Sequence, residues 1–167
     1  MTRPSASPAS LRFAADFRGR IGVVSSARQL ISELCAAYLQ PTDRSAALVM
    51  AAQELLENLA KYSLGSASFE FELRLADPEP EARITTCNLA SEEHLLHAGQ
   101  LLERIVSSVE PTRLYDEWLA MSGERDGSRL GLVRLRAEAG LALSYTIDGS
   151  GLRLTASGAV EPKARAS

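Results

Sequence analysis

Three polar residues at helical spacing are the first candidates for chemistry. Within residues 53–63, Glu54 and Asn58 are four positions apart, and Lys61 follows three positions later. If the segment is a helix, Glu54 and Asn58 stack on one face, about 6 Å apart along its axis. A carboxylate there can accept a proton from an attacking hydroxyl group or water. The amide oxygen can complete an octahedral Mg²⁺ shell that includes nucleotide phosphates, and the lysine can bind phosphate oxygens.

The same spacing also has a purely structural interpretation. Carboxylates, amides and lysines four residues apart occur on many solvated helices, where each pair stabilises the helix by only about 0.2–0.5 kcal/mol. Taken alone, the pattern leaves two alternatives open. This helix face is either a functional site, for binding or catalysis, or an ordinary solvated surface.

A glycine-containing loop that runs into a predicted helix is the second candidate. Residues 123–132 read GERDGSRLGL, so that glycine recurs at positions 123, 127 and 131. Backbone N–H groups and the helix dipole at such a helix start favour phosphate. Arg129 stands inside this segment. Its bulk can keep a ligand from the backbone, or its guanidinium can bind phosphate itself.

Together, and in this order, the two segments resemble motifs of the histidine-kinase-like ATPases, also called the GHKL fold. Residues 54–63 are similar to the N-box of that family, and residues 127–133 are similar to its second glycine box. The resemblance covers most of residues 10–157. It points to the SiaB-like bacterial regulators and to the anti-sigma-factor serine kinases as the nearest branches.

The resemblance implies roles for the candidate residues. Glu54 would be the catalytic base, and Asn58 would be the Mg²⁺ ligand. Phosphate contacts would come from Lys61, Gly127, Arg129 and Gly131. Members of this wider group phosphorylate a serine or threonine of a small STAS-domain partner, or bind a sigma factor or similar switch. We therefore expect ATP and Mg²⁺ as cofactors, a STAS-domain-like or other regulatory protein as partner, and serine/threonine kinase activity.

One motif of the family is changed. Its first glycine box has Asp-x-Gly-x-Gly after a strand, whereas residues 86–91 here read TCNLAS, without Asp or Gly. Asn88 is the residue that would offer an amide oxygen to adenine, and the resemblance to the SiaB-like branch extends to an Asn at this place. The change favours a second hypothesis, a degenerate member that binds a regulatory partner without turning over ATP.

The elements that must position these residues follow from the periodicity of apolar side chains. Alternation predicts strands near residues 11–17, 69–75, 82–89, 141–147 and 152–156. Steps of three and four predict helices over residues 27–39, 43–62, 92–106, 111–121 and 130–139. Capping of the first helix is expected from Ser25 or Ser26, and of the second from Thr42 or Asp43. This order predicts a two-layer α/β sandwich, with a mixed, mostly antiparallel sheet and helices on one face. Flexible tails are expected at residues 1–9 and 160–167, around a single domain at residues 10–159.

Composition narrows the classes of partner. The chain has 167 residues, is 46% hydrophobic, and carries a net charge of -3 without a basic block, so nucleic acid is not expected. No apolar run approaches the roughly 18 residues of a membrane span, so we expect a cytoplasmic protein that is not bound to a membrane. Cys35 and Cys87 are predicted to be reduced structural thiols, and His94 and His97 to be surface residues. The oligomeric state is not fixed, and a homodimer is among the states left open.

Overall fold

The structure is a computed structural model that describes residues 10–18, 22–75, 78–121 and 127–163. Its strands are β1 (Ser10–Arg18), β2 (Ser66–Arg74), β3 (Glu81–Leu89), β4 (Ala142–Asp148) and β5 (Gly151–Ala159). Its helices are α1 (Gly22–Tyr38), α2 (Asp43–Tyr62), α3 (Glu92–Ser107), α4 (Pro111–Met121) and α5 (Gly127–Ala137). No helix in these described ranges is long and apolar enough to cross a bilayer.

The strands form one sheet in the order β1-β2-β3-β5-β4. Every neighbouring pair is antiparallel, so the predicted α/β sandwich with a mostly antiparallel sheet is confirmed, and no parallel pair occurs among the described strands. A hairpin joins β2 to β3 and another joins β4 to β5, whereas α1 and α2 separate β1 from β2 along the chain. Gly149 has a φ of +55° in the β4–β5 turn, a conformation that favours glycine.

The two faces of the sheet differ in polarity. In β2, alternate residues from Ala67 to Leu73 are buried, and the residues between them are more exposed. The register places Phe71 between Phe13 of β1 and Ile84 of β3, all on the core face. The outer face carries mainly polar side chains, among them Arg12, Glu70, Glu72, Arg83, Thr85 and Thr155. The core therefore lies between the helices and one face of the sheet, as predicted.

The helix α2 is central to this core. Its buried residues are Leu48, Ala51, Ala52, Leu55, Leu56 and Leu59. Of the two predicted caps, Thr42 is the one observed, because its side chain accepts a hydrogen bond from the backbone N–H of Ser45 in a capping box. The predicted cap of α1 is wrong. That helix already begins at Gly22, so Ser25 and Ser26 lie inside it rather than at its end.

The segment after β5 is held by backbone hydrogen bonds. Gln40 donates its N–H to the carbonyl of Glu161, and Lys163 donates to the carbonyl of Tyr38, both at 2.8 Å. Residues 160–163, which were predicted to belong to a flexible tail, are therefore paired with the end of α1 and the segment after it through main-chain groups, which bond independently of side-chain type. The remaining residues of the two predicted tails, 1–9 and 164–167, lie outside the described residues.

Candidate functional site

A cavity of about 270 Å³ opens between the core face of the sheet and the helices α2, α3 and α5. Its volume is close to the lower end of the range for small-molecule sites, roughly 300–1,000 Å³. The apolar part of its lining is Leu55, Leu59, Ala98, Leu101, Leu102, Leu132, Leu152 and Leu154. The polar part is Asn58, Lys61, Tyr62, Thr86, Asn88, His94 and His97. Leucine walls with a few convergent polar groups are the usual composition of a site for a small organic ligand.

Two of the polar residues project from the sheet into this cavity. Thr86 and Asn88 are alternate residues of β3, and they are the buried polar side chains within the described part of the chain. Thr86 Oγ1 donates to the carbonyl of Leu154, and Asn88 Nδ2 donates to the carbonyl of Leu89, each at a long 3.4 Å. Burial of weakly bonded polar groups costs free energy. A ligand with a polar edge could offset that cost by giving these groups shorter hydrogen bonds.

Asn58 reaches the cavity from α2 and is held by Glu54 one turn earlier. Asn58 Nδ2 donates to Glu54 Oε1 at 3.2 Å, so the two residues share one helical face as the spacing predicted. Because the amide nitrogen takes part in this bond, the amide oxygen is the atom of Asn58 that can serve as a ligand. An amide oxygen suits Mg²⁺, which usually takes few protein ligands and keeps waters and phosphate oxygens in its shell.

No protein cluster in the described ranges would hold a metal ion by itself. These residues contain no group of three or more His, Cys, Asp or Glu side chains in a suitable arrangement. An Mg²⁺ ion at Asn58 would therefore depend on the phosphates of a nucleotide for most of its non-water ligands. The residues present are compatible with that mode of binding.

Glu54 points from α2 toward α5. At Gly131 of α5, a methyl group in place of hydrogen would overlap the carboxylate atoms of Glu54. The glycine thus makes room for the carboxylate between the two helices. Burial raises the pKa of Glu54, the hydrogen bond from Asn58 opposes that rise, and the charge of Glu57 adds to it. A carboxylate with a raised pKa is a better proton acceptor near neutral pH.

The second glycine segment starts α5. The helix begins at Gly127 rather than at the predicted residue 130, so Arg129 and Gly131 have helical backbone. The preceding residues 122–126 and the side chain of Arg129 lie outside the described part of the structure. Gly131 therefore lies against α2, whereas phosphate binding by Gly127 and Arg129 stays a prediction.

An aromatic pair at the cavity was missed by sequence reasoning. The rings of Tyr62 and His94 stack with centroids 4.3 Å apart and an angle of 17° between their planes. Lys61 Nζ lies 4.9 Å from the Tyr62 ring centroid. Burial lowers the pKa of His94, and the charge of His97 lowers it further. His94 was predicted to be a surface residue. The pair was missed because no spacing along the chain relates the start of α3 to the end of α2.

Comparison with known proteins adds information on the fold. No family model and no curated protein matches this chain. A similar solved structure is a chain in the crystal structure of the SiaB–SiaC complex from Pseudomonas aeruginosa, with a TM-score of 0.63 and 12% sequence identity. The superposition covers 88% of this chain and 89% of that chain. The two share a fold. At this identity the likeness extends to the architecture and not to the chemistry of the site.

Proposed function

We propose that this protein is a bacterial signalling protein that binds ATP with Mg²⁺ and phosphorylates a serine or threonine of a STAS-domain-like partner. One observation carries the proposal. The buried polar side chains of the described sheet, Thr86 and Asn88, line the same cavity as Asn58 and Lys61 of the N-box-like helix. Segments far apart in sequence thus bring two buried polar side chains, an amide and an ammonium group to one cavity, which is the set that recognition of a base and of phosphates would require.

Adenine recognition is assigned to Asn88 and Thr86. A carboxamide carries both an acceptor and donors, so it can pair with the amino group and a ring nitrogen of adenine. The Thr86 hydroxyl adds a further donor or acceptor beside it. The leucine walls of the cavity suit the faces of a flat base. In this proposal Asn88 takes the place of the aspartate in the family's first glycine box.

Phosphate binding and proton transfer are assigned to α2. Asn58 would hold Mg²⁺ through its amide oxygen, and the bound ion would neutralise phosphate charge. Lys61, which is exposed and lines the cavity, would contact phosphate oxygens. Glu54 would accept the proton that the partner's hydroxyl group loses while its oxygen bonds to the γ-phosphorus of ATP and the bond from that phosphorus to the leaving oxygen of ADP breaks. The raised pKa of Glu54 supports this assignment.

A protein partner is supported by the structural neighbour. That neighbour was crystallised as a SiaB–SiaC complex, so a chain of this fold is found together with a second protein there. We extend this to the present chain and propose that its output is binding to, and modification of, a regulatory protein of the STAS-domain class.

A second candidate function is a binding module that no longer transfers phosphate. It is favoured by the position of Glu54, which lies against Gly131 and is not among the residues that line the cavity. It is also favoured by the absence of Asp and Gly at residues 86–91. In this case the protein would sequester its partner, and Asn58→Ala would leave that binding intact.

Calorimetric titration of ATP and ADP with Mg²⁺ into wild type and Asn58→Ala tests the nucleotide site. We expect micromolar binding to wild type and its loss in the variant. Absence of binding at millimolar nucleotide would refute the proposal and direct the search toward the partner alone. Phosphate transfer to a STAS-domain protein is then followed for Glu54→Gln and Glu57→Gln. Only the first should lose activity, because Glu57 is an exposed residue of the same helix that hydrogen-bonds Gln53.

A further inference from the structure

The strand β4 forms one edge of the sheet. It pairs with β5 along its whole length, from Ala142 to Asp148, and no other strand of the described ranges pairs with its second side. It contains no proline, glycine, lysine or arginine, and its register has no bulge. Edge strands normally carry such features to prevent pairing with other chains. This edge can therefore accept a further strand.

The backbone groups that face this open side belong to Leu143, Tyr145 and Ile147. The β4–β5 hairpin turns through two residues, so its closing pair, Asp148 and Gly151, is hydrogen-bonded within the hairpin. Along an antiparallel strand, residues that bond to one neighbour alternate with residues whose groups point the other way. Counting back from Asp148, the N–H and C=O groups of the three residues therefore point away from β5. Their side chains lie on the core face of the sheet.

A groove of about 650 Å³ opens beside the C-terminal end of this strand, between β4 and the helix α3. One wall is formed by Leu95, Leu96, Gly99 and Gln100 of α3, and the other by Ile147 and the β4–β5 turn. Leu96 is 66% exposed and Ile147 is 40% exposed, although both side chains are apolar. An extended peptide fits such a place, because its main chain pairs with the free edge while alternate side chains enter the groove.

The helix α3 runs alongside β4 in the opposite direction. A Cβ atom added at Gly99 would lie 3.2 Å from Ile147 Cδ1, and one helical turn later Glu103 accepts a hydrogen bond of 3.0 Å from the Tyr145 hydroxyl. Four helical residues advance about 6 Å and two strand residues advance about 6.7 Å, so helix and strand stay in step. A segment added beside β4 would therefore follow α3 along its length.

Acidic side chains stand at both ends of the α3 wall. Glu92 lines the groove beside the turn, and Glu103 lies at the other end, against Tyr145. The steps from Glu92 through Leu96 and Gly99 to Glu103 keep these residues on one helical face, over roughly 16 Å of the helix axis. None of the described residues that line the groove is basic. Two basic side chains four residues apart on an added strand, about 13 Å, are long enough to reach both carboxylates.

We propose that this groove binds an extended segment of a partner protein, which joins β4 as an additional antiparallel strand. The segment carries an apolar residue that enters between Leu96 and Ile147, and a basic residue two positions away on each side that pairs with Glu92 or Glu103. Main-chain hydrogen bonds to β4 supply affinity, and the alternate side chains supply specificity. The antiparallel direction matches every described strand pair and gives the more stable ladder. The inference goes beyond the proposed function and does not depend on it, because no described residue lines both this groove and the nucleotide cavity.

Titration of the isotope-labelled full chain with the end-blocked peptide TKTITKT, followed by NMR, tests the proposal. The lysines and the isoleucine of this peptide occupy the positions that face the groove. Saturable shifts should appear at the amides of Tyr145 and Ile147 and along α3. The peptide TETITET should bind at least about tenfold more weakly, because its glutamates face Glu92 and Glu103. N-methylation of the isoleucine should abolish binding, since its N–H faces β4, whereas N-methylation of the preceding threonine should retain it.

Leu96→Lys places an ammonium group in the groove and should weaken binding of TKTITKT by at least about tenfold. Leu119→Lys is the matched control, because it makes the same exchange, with the same change in net charge, at a 52% exposed residue of α4 outside the groove. It should leave the affinity unchanged. Circular dichroism establishes that both variants are folded, and if Leu96→Lys is not, the comparison of the peptides decides.

Several results would overturn the proposal. One is the absence of saturable shifts at millimolar peptide, and another is a set of shifts that leaves out β4 and α3. Equal affinities of Leu96→Lys and Leu119→Lys would exclude the groove, and equal losses from the two N-methylated peptides would exclude strand pairing. Shifts of β4 amides that grow with protein concentration before any peptide is added would replace the partner segment with a second copy of this chain.

Discussion

Glu54 on α2 and Gly131 on α5 approach so closely that only a hydrogen atom fits at the Cα of residue 131 on the side facing the carboxylate. The contact joins the N-box-like segment to the second glycine segment. It also gives that glycine a function beyond backbone flexibility, because Gly131 lies within a helix, where glycine is otherwise unfavourable. The position of the Glu54 carboxylate thus depends on the residue at 131.

Gly131→Ala tests this dependence through stability. Alanine should stabilise the α5 helix by about 0.5–1 kcal/mol, but it should displace the Glu54 side chain and break its hydrogen bond with Asn58, which costs about 0.5–1.5 kcal/mol. We therefore expect a net change in the free energy of unfolding of less than about 1 kcal/mol. In a Glu54→Ala background, the same substitution should be stabilising. Equal effects in the two backgrounds, measured by urea denaturation, would show that the residues are not coupled.

Thr86→Val is expected to weaken adenine-nucleotide binding about three- to tenfold, the equivalent of one hydrogen bond. The isosteric change removes the hydroxyl from the cavity without altering the volume of the side chain. Thr85→Val is the matched control, because Thr85 lies on the opposite face of the same strand, where its Oγ1 is 3.4 Å from Thr155 Oγ1. Calorimetry compares the two variants. If the two variants bind the nucleotide with equal affinity, the buried face of β3 does not recognise adenine.

Arg136→Met is expected to destabilise the fold by about 1.5–3 kcal/mol. Arg136 Nη1 donates to the carbonyl of Ile105 and, at 3.0 Å each, to the carbonyls of Val106 and Ser108. It thereby satisfies acceptors at the C-terminal end of α3 and ties α5 to that helix.

The neighbouring Arg134→Met provides the control for this prediction. Arg134 lies on the same helix and forms an exposed ion pair with Glu138 four residues later, and such a pair contributes less than about 1 kcal/mol. Thermal denaturation should therefore show a large loss in melting temperature for Arg136→Met and a small one for Arg134→Met. Similar losses for both would contradict the capping role.

Cys35 should resist alkylation. Its side chain is buried, and burial raises the pKa of its thiol from 9.0 to about 11, so thiolate is scarce at pH 8. Cys87 is half-buried, and mass spectrometry after iodoacetamide treatment should find it modified first. Faster modification of Cys35 in the folded protein would contradict this packing.

The same thiol makes stability depend on pH. Between pH 9 and about 11 the unfolded chain loses the Cys35 proton while the folded chain retains it. The free energy of unfolding should therefore fall as pH rises, with a contribution of up to about 1.4 kcal/mol per pH unit. Cys35→Ala should show a shallower decline over this range, when both proteins are followed by chemical denaturation.

Sequence periodicity predicted the architecture well where one face of an element is buried. The alternation through Phe69, Phe71 and Leu73 predicted β2, and the steps from Leu48 to Leu59 predicted α2, because each pattern reports directly on a buried face. The positions at which helices begin were less predictable. Ser25 and Ser26 have the side chains of caps but lie inside α1, since capping residues are also tolerated within a helix.

The site was predicted only as far as local spacing allows. Glu54 and Asn58 lie on one helix, so their hydrogen bond follows from four-residue spacing. The stacking of Tyr62 on His94 joins two different helices and depends on how they pack against the sheet. Thr86 gave no signal, because a threonine in a strand is as common on a polar face as on a buried one.

The connection of β1 to the sheet has a consequence for folding order. The hairpins β2–β3 and β4–β5 close short loops, whereas β1 can pair with β2 only after the intervening α1 and α2 have been brought back alongside. Closing the longer loop costs more chain entropy, and contacts of high sequence separation form slowly. We therefore expect β1 to dock late and to be the first strand to open in the native ensemble, with amide protons that exchange faster than those of β3.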